Sequence, residues 1–161
     1  MSLGIEATVS LREITQETVN SILNLRVTKA QEQFVASNAV SIAEAYFSEE
    51  AWFRAIYADE VPIGFLMLSD QPDKGEYYLW RFMVDAAHQG KGYGHRALEL
   101  LIEHVKTRPN AKELFLSHVP GPGSPEGFYR KLNFEHTGEK AGEELVMKLT
   151  LHKGSSSESQ G

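Results

Sequence analysis

The chain of 161 residues has no cysteine. That absence excludes disulfides, a thiolate nucleophile and any cysteine-ligated zinc or iron–sulfur site, so its chemistry must come from oxygen, nitrogen or a bound co-substrate. Positive charge is also scarce: 16 Lys and Arg against 22 Asp and Glu leave a net charge of −6, which opposes adhesion to nucleic acid or to an anionic membrane. No apolar run approaches the roughly 20 residues that span a bilayer. The opening MSLGIEATVS lacks the basic cluster and apolar stretch of a signal peptide, so a cytoplasmic location is expected. The histidines at 88, 95, 104, 118, 136 and 152 lack ligand spacing except for His88 and His95, and no metal is expected.

What is present is enough apolar residue, 42% of the chain, to fill one core. Residues 1–152 read as one domain, without repeats or a linker. The polar stretch 153–161, KGSSSESQG, reads as a disordered or appended tail. Acid is concentrated early: residues 1–60 hold nine acids and four bases, a distribution that would draw a cationic small molecule.

Segment 7–14 alternates as a strand, and Thr15 is the expected N-cap of a helix through Val19, Ile22 and Leu23. Ser37 or Ser41 opens a second helix through Tyr46 and Phe47. Strands over 52–58 and 62–69 flank a tight turn at Asp59 and Glu60. The run EYYLWRFMVD, 76–85, is apolar on both alternating faces, as a central strand covered on both sides should be. Beyond the glycines at 90–94, Ala97, Leu98, Leu101, Ile102 and Val105 mark one face of a helix ending near Arg108 and Pro109. A strand over 113–119 follows, then a short helix with Ser124 as N-cap and Pro125 at its first position. Strands at 134–139 and 143–151 close the chain. This order predicts the α/β class, a mixed sheet flanked by helices.

Between the central strand and the amphipathic helix lies His88-Gln89-Gly90-Lys91-Gly92-Tyr93-Gly94-His95. Successive backbone N–H groups at a helix start form an anion site, and glycines let phosphates approach the backbone. The spacing matches neither a P-loop nor a dinucleotide fingerprint. It resembles the acyl-CoA signature of the GCN5-related N-acetyltransferase (GNAT) superfamily, Gln/Arg-x-x-Gly-x-Gly/Ala, with Gln89, Gly92 and Gly94 at the matching positions. A second element, GFYRKLNFEHTGE at 127–139, resembles the family's Phe-Tyr-x-x-x-Gly-Phe pattern.

The resemblance implies the acyl-CoA N-acyltransferase fold and an enzyme that moves the acetyl group of acetyl-CoA to a primary amine by direct attack. It implies that backbone groups of Phe82, Met83 and Val84 pair with the pantetheine arm. Gln89, Gly90, Lys91, Gly92, Tyr93, Gly94 and His95 would cradle the pyrophosphate, and Ser124 stands near the position of a family Asn that contacts the arm. Tyr129 is implied as the acid that protonates the leaving thiolate, which suits a phenol with a reference pKa of about 10. Trp80 occupies the place where eukaryotic spermidine/spermine acetyltransferases carry a glutamate, so no general base is assigned.

The segments at 31–36 and 41–45, with YYLWRFMVD, resemble bacterial spermine/spermidine acetyltransferases. A polyamine site needs spaced carboxylates and aromatic faces, and Glu32, Phe34, Glu44 and Trp80 supply those types. Acetylation of a peptide or protein N-terminus, an amino acid or an aminosugar is the alternative reading, as is a non-catalytic acyl-CoA sensor. A homodimer through the last strands is expected only by analogy with the superfamily.

Overall fold

The computed structural model describes residues 7–152; the expected tail at 153–161, Lys153 onward, and the first six residues lie outside them. The elements follow the predicted order: β1 (Val9–Arg12), α1 (Val19–Leu23), α2 (Asn38–Tyr46), β2 (Ala51–Ala58), β3 (Val61–Gln71), β4 (Glu76–Val84), α3 (Tyr93–Lys106), β5 (Glu113–His118), α4 (Glu126–Lys131), β6 (Glu135–Ala141) and β7 (Glu144–Thr150). Two 3₁₀ turns, Lys29–Gln31 and Ala86–His88, are added. Among the described residues, seven strands form one mixed sheet in the order β1-β2-β3-β4-β5-β7-β6. Only β4 and β5 run parallel, joined through α3.

The continuous apolar run of β3 is explained by burial on both sides. Leu66 and Leu68 pack with Ala97, Leu98, Leu101 and Val105 of α3 and with Tyr129 of α4. Phe65 and Met67 pack on the opposite face with Ile22 of α1, Ala45 of α2 and Met83. The sheet is thus sandwiched between α3 and α4 on one face and α1 and α2 on the other.

Helix starts differ from expectation in two places. Thr18, not Thr15, takes the cap position of α1: residues 15–18 close a turn in which the Thr15 N–H donates to Thr18 Oγ1 (2.9 Å) and the Thr15 carbonyl accepts from the Thr18 N–H (3.0 Å). Pro125 holds the cap of α4, and Ser124 stands one residue earlier, its Oγ accepting from the Glu126 N–H at 3.3 Å. The hydroxyl performs the expected task from a shifted position. Ser37 caps α2, accepting from the Val40 N–H at 3.2 Å.

Asn38 is 2% exposed and its Nδ2 donates to the Ile22 carbonyl at 2.9 Å, tying α2 to α1. Asn38→Ala removes this tie while the Leu25 N–H still donates to the same carbonyl at 3.2 Å, so a loss of about 0.5–1.5 kcal/mol is expected, read as a lower urea midpoint with unchanged m-value.

Candidate active site

β4 and β5 share a single registered pair, Tyr78 with Phe115. Met67 lies opposite Arg81 but Leu68 opposite Leu79, so Trp80 is an extra residue in β4. Such a bulge bends its strand. Beyond it the two strands part, while β5 continues to pair with β7. A cleft of ≈ 1620 Å³ enters the sheet at this opening, walled by Leu79–Val84 on one side and Phe115–Val119 on the other. The edge of β4 facing it has no registered strand partner past Tyr78. Phe82, Met83 and Val84 all lie on this wall.

The glycine loop closes one end of the cleft. Asp85 anchors its start: the carboxylate accepts from the Arg26 N–H (2.9 Å) and the Ala87 N–H (3.3 Å) and faces His88 Nδ1 at 3.3 Å. The side-chain amide of Gln89 donates to the Val84 carbonyl and to Gln31 Oε1, both at 2.8 Å. Gln89 therefore staples the loop to β4 and to the 3₁₀ turn at 29–31. Backbone N–H groups of residues 89–95 have no hydrogen-bond partner among the described residues, which is the condition for an anion cradle at a helix start. Gly92 caps α3 at φ 85°, a left-handed conformation costly for other residues. At Gly94 a Cβ would lie 3.1 Å from Phe82 Cζ and 3.3 Å from Val84 Cγ2, so glycine permits the helix to sit on the strand end. Lys91 is exposed and has no carboxylate partner among the described residues, whereas Nε2 of His95 faces Glu99 at 3.3 Å.

Tyr129 is 8% exposed, packed between the rings of Phe128 and Phe134, and burial pushes its phenol above the ordinary value of 10. Its hydroxyl makes no hydrogen bond with a described residue, and its oxygen is not among the sealed unpartnered atoms. The residue lines the cleft together with Ser124. The stacked pair of Phe82 and Phe128, 5.7 Å between centroids, joins β4 and α4.

Glu32, Phe34 and Trp80 also line the cleft. The Phe34 ring comes within 3.7 Å of where a Gly123 Cβ would stand, so the segment before α2 leans over the loop before α4. Glu44 is not brought to the cleft wall. Its carboxylate pairs at 2.9 Å with Arg81, a wall residue whose Nε is buried without a partner, so Glu44 neutralises the wall from behind. Sequence reasoning missed Glu50, Glu139 and Glu144, and weighed Glu76 only as a route for the amine proton; all four join Glu32 in the cleft lining. They sit in or beside four different strands, and only the register of the sheet could have gathered them.

A comparison with protein-family models matches residues 19–134 to the acetyltransferase (GNAT) family. The chain belongs to that family. A spermine/spermidine N(1)-acetyltransferase of Bacillus subtilis (strain 168) is 27% identical over 150 residues, covering 87% of this chain and 97% of the relative. Among solved structures, the acetyl transferase of Salmonella typhimurium that modifies the N-terminal serine of ribosomal protein L7/L12 superposes with a TM-score of 0.72 at 15% identity, covering 90% of this chain and 96% of the other. N-acetylglutamate synthase from Neisseria gonorrhoeae, complexed with coenzyme A and N-acetyl-glutamate, gives 0.69 at 19% identity, covering 92% of this chain and 36% of the synthase. As a GNAT protein, this chain is an acetyl-CoA-dependent N-acetyltransferase. Among its described residues no helix is long and apolar enough to cross a membrane.

Proposed function

We propose that the acceptor is a polyamine of the spermidine/spermine type, with its acetylated amine in the opening between β4 and β5 and its cationic chain against carboxylates of the cleft lining. The observation that carries this reading is the lining itself: Glu32, Glu50, Glu76, Glu139 and Glu144 with the aromatic faces of Phe34, Tyr78 and Trp80. Ammonium groups spaced by methylenes need that alternation of carboxylate and apolar surface. The similarity to the Bacillus relative supports it independently. A cytoplasmic location goes with this reading.

In the same proposal, the unpartnered N–H groups of residues 89–95 and the charge of Lys91 hold the pyrophosphate, and the open edge of β4 at Phe82–Val84 pairs with the pantetheine arm. A neutral amine attacks the thioester carbonyl, the carbon–nitrogen bond forms, the carbon–sulfur bond breaks, and Tyr129 gives its proton to the departing thiolate; the surplus proton of the acetylated nitrogen passes through water and restores the phenol. Burial raises the phenol, which keeps the Tyr129 proton in place through the neutral range.

The test is CoA thiol release from acetyl-CoA with spermidine, spermine, lysine, short peptides and aminosugars. Turnover confined to peptides, amino acids or sugars sinks the polyamine reading, and acetyl-CoA binding without turnover favours a sensor. Glu50→Gln and Glu144→Gln are each expected to raise KM for spermidine by about two- to fivefold, the scale of partly exposed ion pairs. KM for acetyl-CoA should stay as it is, and added salt should shrink the difference between wild type and variants.

A further inference from the structure

The fold brings together two histidines that the sequence holds 18 positions apart. His118 ends β5 and is 4% exposed; His136 lies on β6, and their Nε2 atoms face each other at 3.0 Å. Glu126, in the first turn of α4, completes the cluster: one ligand atom from each of the three residues lies within 4.8 Å of the other two. The acetyl transfer assigns none of these side chains a task.

The outer contacts of the two rings differ. His118 Nδ1 lies 3.4 Å from the Val119 carbonyl oxygen, which favours the proton on Nδ1 and leaves the Nε2 lone pair pointing inward. A ring nitrogen donating to a backbone carbonyl is the usual outer contact of a metal-binding imidazole. At His136 the Arg130 Nη2 stands 3.1 Å from Nδ1. A guanidinium only donates, so Nδ1 accepts and the proton resides on Nε2. Arg130 Nε also donates to Glu126 Oε2 at 2.7 Å. One cationic side chain thus occupies two of the three ligands. Its own side chain is 54% exposed, so it can turn into solvent at small cost.

We propose that His118, His136 and Glu126 form a site for a divalent cation of the zinc class, with Arg130 as the built-in competitor for it. Two imidazole nitrogens and a carboxylate suit such a cation, whereas magnesium and calcium prefer all-oxygen sites. Three protein ligands leave one position for water. Binding displaces Arg130 from both partners and shifts the His136 proton from Nε2 to Nδ1, so the ring stays neutral. The cation would join β5, β6 and α4, the helix that carries Tyr129.

The test is titration of chelator-stripped, full-chain protein with Zn²⁺ against a chromophoric competing chelator. One equivalent is expected to bind, and magnesium should not displace it. His136→Gln and Glu126→Gln should weaken binding at least about tenfold, while Arg130→Gln should tighten it. Zinc should also raise the Tm of wild type, raise that of Arg130→Gln further, and leave His136→Gln unmoved. Absence of saturable binding, unchanged affinity in both ligand variants, or an Arg130→Gln protein that binds no tighter overturns the proposal. The Arg130 variant is a gain of affinity at an exposed residue, which misfolding cannot imitate.

Discussion

Tyr129→Phe is expected to lower kcat with acetyl-CoA and spermidine by about 10²- to 10⁴-fold, the range for losing a positioned general acid, with little change in KM for either substrate. The reason for expecting so clean a split lies in the packing. The ring is held by Phe128 and Phe134, and phenylalanine keeps that fit. The hydroxyl has no hydrogen-bond partner among the described residues, so its removal strands no buried group. Stability should therefore stay within about 0.5 kcal/mol of wild type. A tyrosine present only for packing predicts a near-normal kcat in the phenylalanine variant. The pH profile adds a second criterion. Burial raises the Tyr129 phenol above its ordinary value, so the proton is fully present below pH 10 and is lost only above it. Activity should then rise with pH as the amine loses its proton, with no falling limb from Tyr129 below about pH 10. A descending limb near neutrality that disappears in Tyr129→Phe would remove the residue from the role.

The order of elements was legible because each carries a local signal: alternation in β1, the helical stripe of α3, the doubly apolar run of β4. The glycine loop was legible for the same reason, since the positive φ at Gly92 and the close approach at Gly94 are demands that only glycine meets at low cost. The Trp80 bulge was not, because an inserted residue is defined by what its partner strand does, here Met67 and Leu68. The carboxylates of the cleft were hidden for a related reason: Glu50, Glu139 and Glu144 read singly as solvated surface, Glu76 only as one route for a proton, and the four become a lining only through strand register. Glu44 misled in the opposite direction. Its residue type, in a segment resembling polyamine acetyltransferases, suggested a substrate contact, but Arg81, an unforeseen cation on the wall of the cleft, pairs with it. Histidines 118 and 136 show the same limit, since ligand spacing along the chain detects only sites built within one element.

Gly92→Ala is expected to raise KM for acetyl-CoA about tenfold while leaving spermidine KM nearly unchanged. At φ 85° an alanine pays roughly 1–2 kcal/mol of backbone strain, which corresponds to about a tenfold change when the loop relaxes out of the cradle geometry. Space is not the cause, because no described atom lies within 4 Å of where the Cβ would stand. On the proposed reading the loop holds a phosphate, so Gly92→Asp should be worse than alanine by adding a negative charge to the loop. Truncated acyl donors that lack the pyrophosphate separate the two causes. If the loop holds that group, wild type and Gly92→Ala should bind a pyrophosphate-free acetyl-pantetheine equally poorly, and the alanine penalty should vanish with the phosphates. A penalty that persists on the truncated donor would place the defect in the fold of α3 rather than in phosphate recognition. Measured beside Tyr129→Phe, the pair separates donor binding by the glycine loop from proton transfer by α4, the first through KM and the second through kcat.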